Sequence, residues 1–216
     1  MVERCSHFTA VLVPLCLVIM CWSMSANAHD LAEPRSMICF KEFPTDPALF
    51  SDDMRPYVSK IIAKHGLEEW KAVVLTNELH HHMGLWSILG AKMGVRAREL
   101  LNAPFDEVDV SSSAGVKPPY SCLNDGLQVA TGASLGRGTI QVSDANQPIV
   151  EFSFKGKKVT LKAKPEIVKE IGQVIKELSD KYTFQSSRYF RELDKISVEY
   201  WLKWDRVDLF QEVLAP

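Results

Sequence analysis

The chain has 216 residues, 46% of them hydrophobic, and sets 25 Lys and Arg against 27 Asp and Glu for a formal charge of −2. So even a balance carries no electrostatic footprint for nucleic acid or an acidic membrane surface, which leaves small molecules or proteins as the expected partners. The length suits one domain of ordinary size with a sizeable core.

Residues 1–28 read as a cleaved export signal. Arg4 precedes an apolar run from Phe8 to Trp22, and Ala26-Asn27-Ala28 has the small-x-small spacing of a cleavage site. The run is short for a membrane span and is interrupted by Pro14, so no stable membrane insertion is expected after cleavage. The expected destination is the bacterial periplasm. Cys5, Cys16 and Cys21 leave with the signal, so Cys39 and Cys122 remain in an oxidising setting. They either bridge one another or leave Cys122 free for a metal or a chemical role.

Residues 29–50 read as an irregular, Pro-containing arm, and 51–216 as the domain. Asp52 or Asp53 can cap a helix to about His65, with Gly66 as its stop. A second helix from about Leu67 to Leu79 delivers the chain to His80-His81-His82. A third, from Gly84 to Leu101, contains Gly90 and Gly94, which lower helix propensity and so point to close approach of another backbone. That face could pack against a second copy of the chain as a homodimer. Phe105 to Ser112 reads as a strand and Ala114 to Ser121 as a loop. Ser121 can cap a helix from Cys122 to Thr131, placing the cysteine where the helix dipole favours thiolate. Three strands follow, about Thr139–Val142, Ile149–Phe154 and Lys158–Leu161, with turn residues between them that suggest an antiparallel meander. Helices from Pro165 to Lys181 and from about Gln185 to Trp204 close the chain, the aromatics of the last (Tyr189, Phe190, Tyr200, Trp201, Trp204) reading as packing residues. The predicted fold class is α+β: a single domain with a small antiparallel sheet and helices packed before and after it.

Two clusters about forty residues apart carry the chemistry: the histidine run and the stretch from Cys122 to Gly138. Imidazole and thiolate suit zinc or another divalent transition metal far better than calcium or magnesium.

From about Leu79 to Phe154 the chain resembles the FmdE family of formylmethanofuran dehydrogenase proteins, a group of small metal-binding α+β proteins. The family's Phe-His-Gly-His element, leading into a Gly-containing helix, is matched by Leu79-His80-His81-His82 and the helix beyond Met83-Gly84. Its Cys, Asp and Gln ahead of Thr-Gly and Gly-Lys-Gly are matched by Cys122, Asp125, Gln128, Thr131-Gly132 and Gly136-Arg137-Gly138. Two positions depart from the pattern. His81 replaces a glycine, which removes a backbone freedom and adds a third imidazole, and Ala133 stands where many relatives have a second cysteine. The resemblance implies the domain and its metal site.

Residues two apart face opposite sides of a helix but one side of an extended segment, so shared metal binding by His80 and His82 requires the helix to end at His80. Cys122 supplies the third ligand, and the fourth position stays open to water or a small ligand, as in catalytic zinc sites. Asp125, one turn beyond Cys122, could accept a hydrogen bond from a ligand histidine or act as a catalytic base toward metal-bound water, and Gln128 and Thr131 could orient either or contact the ligand. Three functions follow: a metal-binding protein for a small molecule, a metal-dependent hydrolase or lyase, and an interaction protein bridged through Cys39 and Cys122.

Overall fold

A computed structural model describes residues 40–215 of the chain. The expected signal, most of the arm, and Cys39 lie outside the described residues, and so does any bridge from Cys39 to Cys122. Residues 42 onward form one compact unit. Its first residues, expected as irregular arm, lie on a hydrophobic cluster around Trp70 and Trp201: Phe43 and Phe50 pack there, and the Pro44 carbonyl accepts the Trp70 indole N–H at 2.9 Å. Among the described residues no helix is long and apolar enough to cross a membrane.

The elements run α1 (Val58–His80), α2 (Leu85–Leu101), β1 (Asp109–Ser112), α3 (Leu123–Thr131), β2 (Ile140–Val142), β3 (Ile149–Phe154), β4 (Lys157–Ala163), α4 (Pro165–Lys181), α5 (Ser187–Lys203) and β5 (Phe210–Ala215). Helix α1 starts later than the acidic pair suggested, because Asp52 pairs with Arg55 at the surface and caps nothing. Gly66 interrupts it as expected, with φ +83° and ψ 168°, so the two predicted helices form one bent run. Pro165 opens α4 with its preset φ, and Ser186 caps α5 by accepting the Tyr189 N–H at 3.2 Å.

The sheet is mixed, in the order β2-β1-β3-β4-β5. The predicted meander is corrected here: β2 pairs in parallel with β1, Val110 opposite Ile140, and β1 separates it from β3. Parallel neighbours need a crossover connection, and α3 supplies it between β1 and β2. The remaining pairs are antiparallel, and the sheet gains a strand not foreseen, β5, beside β4. Val110, Ile140, Val150, Phe152, Val159 and Leu161 turn inward, where α2, α3, α4 and α5 cover them. A second core joins α1, α2 and α5 around Trp70, Ile88 and Trp201.

A buried ionic cluster braces that second core. Glu69 of α1 receives hydrogen bonds from Lys92 of α2, from the Trp201 indole at 3.1 Å and from Arg206 at 3.1 Å. Lys92 also donates to the Trp204 carbonyl at 2.9 Å. Burial pulls the Lys92 ammonium down to about 8 against the attraction of Glu69. Removing one member would strand a buried charge, so the cluster fixes α1, α2 and the end of α5 in one arrangement.

The glycines of α2 pack within the chain. A Cβ at Gly90 would sit 2.1 Å from the Leu123 carbonyl oxygen, and one at Gly126 of α3 would sit 2.2 Å from the Ser87 oxygen and 2.3 Å from the Ala91 nitrogen. Backbone meets backbone, so the close approach that the glycines signal is to α3. It therefore does not need a second copy. Gly126→Ala should destabilise the fold by about 3 kcal/mol, whereas Gly172→Ala on α4, where nothing lies within 4 Å, should stabilise it by about 0.5–1 kcal/mol. Denaturant melts measure both, and equal effects would contradict the packing described.

Candidate functional site

Helix α1 ends at His80 because His81 turns left-handed, with φ +62° and ψ 10°, and its N–H closes the last turn on the Asn77 carbonyl. The glycine replaced by His81 is not required for this turn. Histidine tolerates the left-handed region at a cost of about 1–2 kcal/mol, which glycine would avoid. His81 itself is exposed and does not line the chamber described below. Beyond it the chain bends at His82 and becomes extended at Gly84 (φ −97°, ψ 141°), and Asp194 of α5 accepts the Met83 N–H at 2.8 Å, anchoring this turn. His82 consequently folds back beside His80, ring centroids 4.3 Å apart, with its other flank 4.7 Å from Phe190.

From the other side comes the start of α3. Cys122 immediately precedes the helix and Asp125 lies in its first turn, but the turn Tyr120–Cys122 runs directly into α3 and Ser121 provides no cap. Among the described residues Cys122 is an unbridged thiol. Asp125 holds the His80 Nδ1 at 2.7 Å. That hydrogen bond, then the neighbouring Cys122 sulfur, raise His80 to about 9. Burial and the charge on His80 push His82 down to about 4. The pair thus divides into one ring that holds a proton and one that sheds it.

The His80 Nε2 is buried without a hydrogen-bond partner. Gly84 leaves space beside it: a Cβ there would stand 3.5 Å from the His80 Nε2 and 3.4 Å from the His82 Nε2. Both nitrogens therefore border one small space that glycine keeps open. As the side chains stand, no three His, Cys, Asp or Glu residues among the described ones are set to hold an ion.

His80, His82 and Cys122 border a chamber of about 220 Å³ whose other walls are mainly apolar, among them Leu85, Trp86, Ile175, Tyr189, Phe190 and Leu193. Gln128 and Thr131 stand outside it. Gln128 turns to the Leu135 N–H at 3.4 Å, and Thr131 bridges the Leu127 carbonyl and the Ala133 N–H at the end of α3. The structure thus brings together His80, His82, Cys122 and Asp125 and leaves those two in local backbone contacts. Tyr189 and Phe190, read from the sequence as packing residues, do pack in the main core and also line the chamber. Trp86 carried no signal beyond its place on an apolar helix.

The family model described as "FmdE, Molybdenum formylmethanofuran dehydrogenase operon" matches residues 79–211. The chain belongs to the FmdE family. Its match runs from the last turn of α1 into β5 and so contains the whole cluster. Among solved structures, the FmdE chain is similar to a tungsten formylmethanofuran dehydrogenase FmdE-like protein from Syntrophus aciditrophicus, at 19% identity, with a TM-score of 0.41, over 81% of this chain and 77% of that one. No curated protein matches it.

The His80 proton has a testable consequence in metal-free protein. A value raised from 6.5 to about 9 adds stability in full below pH 6.5, and that stability is lost as the pH rises through about 9. His82 acts oppositely, costing stability as the pH falls from 6.5 through about 4. Metal-free wild type should therefore melt on the order of 5 °C above His80→Gln near pH 6, the gap closing by about pH 10. A gap independent of pH would remove Asp125 as its cause.

Proposed function

We propose that this protein binds zinc or another divalent transition metal through His80, His82 and Cys122, and presents one open coordination position to a small molecule in the chamber. The observation that carries the reading is the buried His80 Nε2 turned toward Cys122, with the opposite ring nitrogen fixed by Asp125. A carboxylate that holds one nitrogen of a histidine and frees the other for a metal is a recurrent arrangement. The space kept open by Gly84 and the mixed imidazole and thiol donors fit such an ion. Holding it would draw the three side chains into one sphere and displace the His80 proton.

When bound, the metal would supply a positive charge that attracts and polarises an oxygen donor of the ligand. The chain's own residues do the rest. Asp125 orients His80, Asp194 anchors the turn that carries His82, and the remaining walls around the open position are mainly apolar. Asp125 is engaged with His80, which favours a positioning role over that of a proton acceptor in a hydrolase or lyase.

Elemental analysis of protein purified without added metal tests the reading. Wild type should carry about one transition-metal ion per chain and Cys122→Ser a small fraction of that, as expected when one of three ligands is lost. Gln128→Ala, altered outside the chamber, should keep its metal. Equal metal content in wild type and Cys122→Ser would overturn the proposal.

A further inference from the structure

We propose that Phe184, carried on the tip of the turn between α4 and α5, is a gate at the mouth of the chamber that limits by size what reaches Cys122. The gate needs no bound ion, so it stands or falls apart from the metal-binding reading.

Exposure marks the mouth. Among the residues that line the chamber, Pro118, Pro119, Phe184 and Gln185 are exposed, whereas Leu85, Trp86, Tyr189 and Leu193 are buried and His80, His82 and Cys122 half-buried. Two segments therefore form the rim, with the thiol and the imidazoles behind them. One side is stiff: the rings of Pro118 and Pro119 fix their φ, and the chain passes from them directly into the turn Tyr120–Cys122. The other side is the tip of the turn 183–186.

The backbone of that turn is held at several points. The Ser186 N–H donates to the Thr183 carbonyl at 3.0 Å, the Tyr182 N–H closes α4 on the Leu178 carbonyl at 2.8 Å, and the Ser186 hydroxyl caps α5. Of the two central residues only Gln185 has a positive φ, +59°. A turn of this form favours glycine or asparagine there, and glutamine bears the steric cost of the left-handed region. Strain of this kind persists where the surrounding structure imposes it, and it gathers at ligand clamps and switch regions. Here the strained residue sets the direction of the tip, and both tip side chains stand on the rim.

The side chain of Phe184 is free to move where its backbone is not. A lone exposed phenylalanine is ordinary, but this one stands at an opening. It is 57% exposed, and its ring meets Tyr189 edge-on at 5.3 Å. Little packing opposes its rotation, and exposed side chains change rotamer readily. A fixed proline lip facing a rotating ring on an anchored turn is a gate that works without backbone movement.

The Cys122 thiol is the reporter, read by mass spectrometry of its own peptide in the full chain. N-methylmaleimide is the small probe and fluorescein maleimide the bulky one, each rate being divided by its value in the denatured protein. A bound metal would slow both reagents alike, so their ratio reads the gate with or without an ion. In wild type the bulky reagent should be slower by at least about tenfold, and Phe184→Ala should remove most of that gap while leaving the small reagent's rate within about twofold. Phe184→Leu should keep most of the gap. Gln185→Pro, which cannot adopt the observed φ, should narrow it, and Gln185→Asn should preserve it. Equal normalised rates for the two reagents in wild type, or a gap that survives Phe184→Ala, would overturn the inference. A gap unchanged in Gln185→Pro would overturn the part assigned to the turn.

Discussion

The contact on which the rest of the molecule depends is the crossing of α2 over α3, where Gly90 and Gly126 let two backbones touch. Gly126 follows Asp125 directly and lies four residues beyond Cys122, while its neighbours across the contact, Ser87 and Ala91, lie in the first two turns of α2. The crossing therefore holds the start of α3 against the turn that joins α1 to α2. That turn carries His80 and His82. A methyl group at the crossing would separate the helices and carry the thiol and the carboxylate away from the imidazoles, so the packing of the fold and the assembly of the cluster are one requirement.

Around this crossing the polar groups are divided between two places. The ionic cluster of Glu69, Lys92 and Arg206 lies in the second core, fully paired, and holds the helices in register. The cluster at His80 and His82 is held by Asp125 and borders a largely apolar room. Low polarity around charged or ligand-seeking groups strengthens every interaction made there, and it penalises each group left without a partner. The His80 Nε2, buried between Cys122 and Gly84, marks where the protein itself leaves a demand unmet.

Local signals make much of this legible. Gly66 breaks its helix, Pro165 opens one, Gly90 and Gly94 announce a backbone approach, and the spacing of His80 and His82 requires the helix end that His81 provides. Asp125, one turn beyond Cys122, is legible as an acceptor for a ligand histidine, and the family pattern over its segment holds. What stays hidden depends on distant neighbours. Turn residues favour pairing of consecutive strands, yet β1 takes the place between β2 and β3 because α3 returns the chain parallel. Strand β5 is a short run after a helix, with no glycine or proline to announce it. Gly126 reads as an ordinary small residue until Ser87 and Ala91 are opposite it. Tyr189, Phe190 and Trp86 have the helical spacing of core residues, and only their placement around an open space distinguishes wall from filling.

X-ray absorption at the metal edge, on protein purified without added metal, addresses the central claim most directly. A convergent His80, His82 and Cys122 predicts one sulfur at about 2.3 Å and two nitrogens at about 2.0–2.1 Å, with a further light atom in the open position. A bound metal surrounded by nitrogen and oxygen alone, with no sulfur in its shell, would contradict it.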